Sequence, residues 1–397
     1  MNLETEEKGS KLSNFLRRKS TSSVSSSSST GSQIARRLSL GALGLVSVSS
    51  NEDKHKEKEN AISERRPSTV TVNPVSNYRF SFEVGICENK NRKNRPTMED
   101  VHTYVANFAE RLDWGYFGVF DGHAGKQAAK WCGANFHSVL EKIVINNDTM
   151  DLRCSLNNAF LQADSLIRDK ISGHSGSTAA VAVLRWEEEV DEEDDKKSAD
   201  DVDVHHPLFD FVPTSRHKRM LYTANVGDSR LVLCRKGHAL RLSYDHKTSD
   251  ILEQQRIIKK GGIIMKGRVN GMLAVTRSLG DSYMKEFVIG NPFTTATEIT
   301  KSDEFLIIAC DGLWDVCSDQ QAVKLIRNIK DPKEASKILV DYALAENTTD
   351  NVTVMVIRFD PRVFLDDDSG SENDQSEKKT QATTIDDKST TNVQTIA

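Results

Sequence analysis

Short apolar runs that end abruptly on an aspartate constrain the fold of this chain more than any other feature. Residues 116–120 are followed by Asp121, and residues 305–310 are followed by Asp311. Apolar runs of this length are typical of buried strands. Because an isolated carboxylate is costly to bury, we expect these acids to lie at strand ends, along one edge of the core.

The order of the predicted elements indicates the fold class. Strands, two helices, strands, one helix, strands, two helices and a final strand follow one another, without strict β-α-β alternation. This order favours an α+β fold, in which a central antiparallel β-sandwich is flanked by pairs of antiparallel helices in a four-layer αββα arrangement. Two apolar runs about Gly227 and Asp228 are also typical of a hairpin.

Composition divides the chain into one domain and two tails. Residues 1–76 hold a serine tract and a charged run, and residues 361–397 are polar and acidic. Such segments cannot bury enough apolar surface to offset chain entropy, so we predict that both are disordered. The domain spans residues 77–360 and contains an acidic insert at about 187–206. A solvated disordered insert is the first interpretation of that segment, and a docking site for a basic partner is the second.

Three tetrapeptides in the N-terminal tail share two arginines and a serine. They are "RRKS", "RRLS" and "RRPS", which end at Ser20, Ser39 and Ser68. Two arginines upstream of a serine suit a kinase whose cleft presents carboxylates. Phosphorylation at these serines is one hypothesis, and chance in a tail rich in serine and arginine is the other.

Charge and cysteine usage exclude several function classes. The formal net charge is −5, so no global basic field points to nucleic acid. No apolar run approaches the roughly 20 residues that a membrane-spanning helix needs. The six cysteines form no CxxC pair and are typical of reduced intracellular thiols. We expect a monomer in the cytoplasm and nucleus.

Clustered acids at one core edge would repel each other and need cations. Few lysines or arginines stand at the strand ends, so divalent ions are the economical answer. All-oxygen ligands favour Mg²⁺ or Mn²⁺, and several carboxylates suit two ions about 3.5–4 Å apart. Taken alone, each Asp-Gly or Asp-Asn pair is more typical of a turn. The acids of this set are Glu99, Asp100, Asp121, Asp228, Asp311, Asp315 and Asp350.

Three further residues are candidates for chemistry. Arg95 could bind phosphate oxygens through its planar guanidinium group, and His123 could donate a proton to a leaving group. Thr178 could offer a hydroxyl. The alternatives are a surface arginine, a histidine at a helix entry and a simple strand threonine.

Seven spaced motifs resemble the metal-dependent serine/threonine protein phosphatases of the 2C type, and residues 98–133 are most similar to the compact yeast members. The motifs are "RPTMEDVH", "FGVFDGHAG", "GSTAAVAVL", "TANVGDSRLVL", "LAVTRSLGD", "ACDGLWDV" and "TDNVTVMVI". The resemblance implies that Asp121 bridges two ions, with Glu99 and the Gly122 carbonyl on one and Asp311 and Asp350 on the other. It implies a weaker third ion at Asp228, Asp311 and Asp315, a phosphate-binding Arg95 and a general acid His123.

The reaction implied by the resemblance is direct hydrolysis of phosphoserine and phosphothreonine by a hydroxide that bridges two metal ions. The resemblance also implies phosphoprotein substrates and restraint of a stress-activated MAP kinase pathway. An aspartyl-phosphate route is the chemical competitor, but it requires an acid two residues after Asp311, where Leu313 stands. A non-catalytic docking module, stabilised by metal and recruiting kinases, is the alternative function.

Overall fold

The computed structural model describes residues 46–48, 80–147, 149–171, 173–188, 214 and 216–364. The strands are β1 (Val46–Val48), β2 (Phe82–Asn89), β3 (Val101–Ala106), β4 (Gly115–Phe120), β5 (Gly122–His123), β6 (Gly176–Ser177), β7 (Ala179–Glu188), β8 (His217–Val226), β9 (Arg230–Arg235), β10 (His238–Arg241), β11 (Ile264–Met265), β12 (Arg268–Val269), β13 (Leu279–Gly280), β14 (Phe293–Ile299), β15 (Asp303–Ala309) and β16 (Val352–Phe359). The helices are α1 (Gln127–Asn146), α2 (Leu152–Lys170), α3 (Ile251–Lys259), α4 (Asp311–Trp314), α5 (Asp319–Ile326) and α6 (Pro332–Ala345), with 3₁₀ turns at Phe108–Glu110, Ser282–Met284 and Pro361–Val363.

Two antiparallel sheets form the centre of the fold. The first sheet has the order β1-β3-β4-β7-β8-β14, and the second has the order β10-β9-β15-β16-β2. Side chains of both sheets meet in one apolar cluster, which includes Phe117 and Val119 of β4, Leu231 of β9 and Ile308 of β15. The alternate residues of β4, Tyr116 and Phe120, face the other way into a second cluster. A strand that is buried on both faces is therefore apolar throughout, as its sequence predicts.

Helices cover both outer faces of the sandwich. Phe136 of α1 and Phe160 of α2 meet edge to face with their ring centroids 4.9 Å apart, in the same cluster as Tyr116 and Phe120. On the second sheet, α6 begins directly against β2, because a Cβ built at Gly85 would lie 2.0 Å from the carbonyl carbon of Pro332. The predicted αββα sandwich is confirmed.

Local sequence determines where the helices begin. Asp151 and Asp250 accept hydrogen bonds from backbone N–H groups in the first turns of α2 and α3. Ser318 and Gln321 form a reciprocal capping box at the start of α5, and Asp331 caps α6 with Pro332 at its first position. These are the side chains that satisfy the unpaired N–H groups of a helix N-terminus.

The hairpin predicted about Gly227 and Asp228 is wrong. Strand β8 pairs with β7 and β14 in the first sheet, whereas β9 pairs with β15 and β10 in the second. The chain crosses between the two sheets at this point. Asp228 thus lies on a link between the two sheets.

The predicted domain limits differ in three places. Strand β1, within the segment predicted to be disordered, lies at the edge of the first sheet and pairs with β3 in the register Val46↔Val105. Strand β7 runs two residues into the predicted acidic insert and ends at Glu188, while the remainder of that insert lies outside the described residues. The ordered domain extends past residue 360 to Phe364, which packs against the inter-sheet cluster. The other tail residues, including Ser20, Ser39 and Ser68, also lie outside the described residues.

Two further properties concern the described part of the chain alone. The helices found there are all too short or too polar to cross a bilayer. All six cysteines fall within it and none forms a disulfide; Cys132, Cys234, Cys310 and Cys317 are buried.

Candidate metal centre

The acids singled out by sequence do stand at strand ends. Glu99 and Asp100 precede β3, Asp121 joins β4 to β5, Asp228 joins β8 to β9, and Asp350 stands two residues before β16. Asp311 begins α4 two residues after β15 ends, and Asp315 follows the same short helix. Both sheets therefore contribute acids to one edge of the sandwich.

Asp121 and Asp311 are half-buried at this edge. Burial raises the pKa of the Asp121 carboxyl well above its usual range, and the charges of Asp311, Asp100, Asp350 and Asp228 raise it further. Burial likewise raises the pKa of Asp311 well above its usual range, helped by the charge of Asp228. The buried Oδ1 atom of Asp311 has no hydrogen-bond partner among the described residues. A cation is what this pair of carboxylates lacks.

Asp100 lies beside this pair but is held by the protein. The hydroxyl of Thr353 donates to its Oδ2 atom at 2.8 Å, and the Cys310 thiol donates to the same oxygen at 3.2 Å. Burial raises the pKa of Asp100 to about 6, and these two hydrogen bonds only partly offset it. Burial also raises the pKa of the Cys310 thiol well above its usual range, so Cys310 is a donor here rather than a thiolate ligand.

Arg95 and Glu99 line the exposed rim. The guanidinium group of Arg95 forms an ion pair with Asp350, and its Nε donates to the Thr349 carbonyl at 3.1 Å. Its side chain is 45% exposed, so the group remains accessible to a ligand. The Oε2 atom of Glu99 accepts from the backbone N–H of Gly125 at 3.3 Å.

The sequence patterns did not indicate a lysine beside Asp228 and Asp315, where the resemblance implies a third metal ion. The Nζ atom of Lys247 lies 3.3 Å from Oδ2 of Asp228 and 3.2 Å from Oδ1 of Asp315. The sequence predicts few lysines or arginines at the strand ends, yet Lys247 pairs with Asp228 and Asp315, and Arg95 pairs with Asp350. Lys247 precedes α3 in a loop, where strand patterns do not indicate it. Asp121 and Asp311 have no such ion pair among the described residues.

The two remaining candidates differ in their surroundings. The Nε2 atom of His123 lies 2.7 Å from Oδ2 of the fully buried Asp281, while its imidazole is 24% exposed. Asp281 is not among the candidate residues predicted from sequence, although it is the last residue of the motif "LAVTRSLGD". The hydroxyl of Thr178 lies 2.7 Å from that of Ser229, and its backbone N–H donates to the Asp121 carbonyl at 2.9 Å. Thr178 thus supports Asp121 through its backbone.

The donor set fits a hard divalent ion. One carboxylate oxygen each from Asp100 and Asp121 lies within 4.8 Å of the other and of the Cys310 sulfur. With the thiol protonated, carboxylate oxygens are the available ligands, as Mg²⁺ and Mn²⁺ prefer. Buried acids with raised pKa values and an unpartnered oxygen are the electrostatic signature of a cation site. An αββα sandwich with an oxygen-rich centre is what the resemblance to the metal-dependent protein phosphatases implies.

Comparison with known proteins narrows the class to a family. The family described as "Protein phosphatase 2C" matches residues 84–352. The chain is 56% identical to "Protein phosphatase 2C homolog 1" of Saccharomyces cerevisiae over 290 residues, covering 73% of this chain and 98% of that protein. It is 40% identical to the protein of the same name in Schizosaccharomyces pombe, over 81% of this chain and 89% of that one. A solved phosphatase from Toxoplasma gondii superposes with a TM-score of 0.56 at 25% identity, covering 70% of this chain and 93% of that one.

The chain belongs to the protein phosphatase 2C family. It is an enzyme, a serine/threonine protein phosphatase of a metal-dependent type, as the sequence motifs predict.

Proposed function

We propose that this phosphatase hydrolyses phosphoserine and phosphothreonine directly, with two Mg²⁺ or Mn²⁺ ions held by the strand-end carboxylates. The half-buried pair Asp121 and Asp311 carries this proposal, since desolvation raises both pKa values and the buried Oδ1 atom of Asp311 has no hydrogen-bond partner in the described residues. Glu99, Asp121, the Gly122 carbonyl, Asp311 and Asp350 would hold these ions. Bound ions would activate water and neutralise phosphoryl charge.

The chain itself supplies positioning and a proton. Arg95 binds the phosphoryl oxygens through the part of its guanidinium group that Asp350 and Thr349 do not occupy. His123, partly exposed beside the carboxylates, donates a proton to the departing serine or threonine oxygen. Asp311 needs no role as a nucleophile, because Leu313 stands where an aspartyl-phosphate enzyme requires a second acid.

A third, weaker ion would compete with a side chain of the protein. Asp228, Asp311 and Asp315 are its proposed ligands, and Lys247 already forms ion pairs with two of them. Entry of a cation there requires displacement of the ammonium group. We therefore propose that this site fills only at high metal concentration.

The cellular role rests on sequence similarity to the compact yeast members of the family. We propose that the protein is a monomer in the cytoplasm and nucleus, and that it restrains a stress-activated MAP kinase pathway by dephosphorylating phosphoproteins of that pathway. A phosphoproteome comparison with and without the protein, before and after osmotic stress, tests this role. Unchanged activation-loop threonine phosphorylation would contradict it.

The proposed chemistry is tested by removing the central ligand. Asp121→Asn should lower kcat/KM on a phosphothreonine peptide by at least about 100-fold, and EDTA should abolish wild-type turnover until Mn²⁺ or Mg²⁺ is restored. Glu334→Gln, which removes an exposed acid of α6, is the charge-matched control and should behave as wild type. Metal-independent turnover, or full activity of Asp121→Asn, would reject the mechanism. Absence of turnover at excess Mn²⁺ would favour the non-catalytic docking module.

A further inference from the structure

We propose that Asp281 is the positioning residue for His123, an inference that rests on the proposed role of His123 as proton donor. The two side chains are 158 residues apart in sequence, and their Nε2 and Oδ2 atoms lie 2.7 Å apart. Asp281 is fully buried, while His123 is partly exposed. The aspartate thus lies behind the imidazole, and the ring lies between it and solvent.

A three-stranded small sheet brings the pair together. Its order is β13-β6-β5, so the strand that carries His123 and the strand that precedes Asp281 flank a common centre. In this sheet Gly176 pairs with His123 on one side and with Gly280 on the other. A Cβ at Gly176 would lie 2.0 Å from Oδ2 of Asp281 and 2.3 Å from Nε2 of His123. The central strand must therefore have glycine here, because the two side chains meet across it.

The segment that carries Asp281 is held by its own polar contacts. Oδ1 of Asp164 on α2 accepts from the Gly280 N–H at 2.9 Å and lies 2.8 Å from Nζ of Lys285. Lys285 also donates to the Ser278 carbonyl at 2.8 Å, and the Asp281 N–H donates to the Ser175 carbonyl at 3.2 Å. None of these contacts involves a proposed metal ligand. They fix the aspartate independently of the metal centre.

The geometry assigns a tautomer to His123. Oδ2 of Asp281 accepts a hydrogen bond from the Ser278 hydroxyl at 2.5 Å and, as a carboxylate, can only accept from the imidazole as well. Nε2 of the neutral ring therefore carries the hydrogen, and Nδ1 is the nitrogen that exchanges a proton with the leaving oxygen. A carboxylate behind a histidine holds the ring in one tautomer and one orientation. Asp281 acts in this way without touching the substrate.

The test compares two substrates that differ in their need for an acid. Asp281→Gly suits the positive φ of 47° at this position and removes only the side chain. We expect it to lower kcat/KM on a phosphoserine peptide about 10–100-fold, and on p-nitrophenyl phosphate by at most about 3-fold, because nitrophenolate needs no proton to leave. Asp281→Asn, which keeps an acceptor oxygen, should fall between Asp281→Gly and wild type.

A double-mutant cycle separates positioning from structural support. In the His123→Gln background, Asp281→Gly should lower kcat/KM on the phosphopeptide by less than a further factor of about 3, since the histidine that Asp281 positions is absent. Gly176→Ala, which keeps both residues but forces their side chains apart, should reproduce the substrate selectivity of Asp281→Gly. Equal losses on both substrates, or losses that multiply in the double variant, would overturn the inference.

A measurement on the metal-free protein without substrate tests the contact between Asp281 and His123 separately from the proposed proton transfer by His123. ¹⁵N chemical shifts of the neutral His123 ring in the metal-free protein should show Nε2 protonated in wild type and a tautomer mixture in Asp281→Gly. Unchanged shifts would contradict the positioning role. If the shifts change but His123→Gln slows both substrates equally, the proposed proton transfer fails while the contact between His123 and Asp281 stands.

Discussion

At the residue scale, His246 shows how burial of a single ring makes stability depend on pH. It is 1% exposed, and its Nδ1 atom lies 3.2 Å from the Gly227 carbonyl on the link between the two sheets. Burial, with the nearby positive charge of Arg277, lowers the pKa of His246 from 6.5 to about 4. The folded protein therefore holds this ring neutral at pH values where the unfolded chain binds a proton.

The sign of the effect follows from proton linkage. Between pH 6.5 and about 4 the unfolded state binds more protons at this residue, so the free energy of unfolding falls as the pH falls. The contribution is about 3 kcal/mol over the window. In urea denaturation at several pH values, His246→Asn should lose less stability than wild type between these limits. His238→Asn, at an exposed position, is the control, and an identical slope in His246→Asn and wild type would contradict the prediction.

Residue patterns predict the acids of the centre but not their partners. The apolar runs before Asp121 and Asp311 place both at strand ends, which the structure confirms. Lys247 and Asp281 lie in loops and follow no periodic pattern. Their roles depend on contacts across 68 residues, from Lys247 to Asp315, and across 158 residues, from His123 to Asp281. Such pairings depend on tertiary packing, so local sequence does not indicate them.

At the element scale, the contact of α6 with β2 depends on one glycine. A Cβ at Gly85 would lie within 2.2 Å of three backbone atoms of Pro332 and Lys333, none of which can rotate away. Gly85→Ala should therefore lower the free energy of unfolding by at least about 2 kcal/mol, through separation of the helix from the sheet. Urea denaturation measures this loss. Lys333→Ala, at an exposed position of the same helix, should change stability by less than about 0.5 kcal/mol. Equal stability of Gly85→Ala and wild type would show that the helix start can shift freely.

Element boundaries follow from the sequence more closely than element partners do. Capping residues mark the starts of α5 and α6. The segment about Gly227 and Asp228 has the local pattern of a hairpin, yet β8 and β9 belong to different sheets. A turn and a crossing between layers have the same local pattern of glycine and aspartate between two apolar runs. Only the competition among distant strands decides between them.

At the scale of the whole molecule, the acidic insert should be dispensable for folding and for the hydrolysis of a phosphopeptide. Strands β7 and β8 are paired up to Glu188 and His217, so the ends of the segment between them are already held together. Replacing residues 190–212 with a short Gly/Ser linker should leave the melting temperature within about 2 °C and kcat/KM on a phosphopeptide within about 2-fold, because loop length costs little. Thermal unfolding and peptide kinetics provide the check. A loss confined to a folded phosphoprotein substrate would assign a docking role to the insert.

Strand β16 has a consequence for the synthesis of this protein. In the second sheet β16 lies between β15 and β2. Of the five strands of this sheet, β2 is synthesised first and β16 last, and the two pair with each other. Until residue 359 has been made, β2 and β15 each present an unpaired edge, and Asp350 is not yet anchored beside the other acids. A nascent chain cannot complete the second sheet strand by strand, since the pairing of β16 with β2 joins residues about 270 positions apart. We therefore expect every incomplete chain to be inactive and to expose unpaired strand edges that can pair with other chains. A cell that makes this phosphatase gains its activity only when translation of the domain is finished.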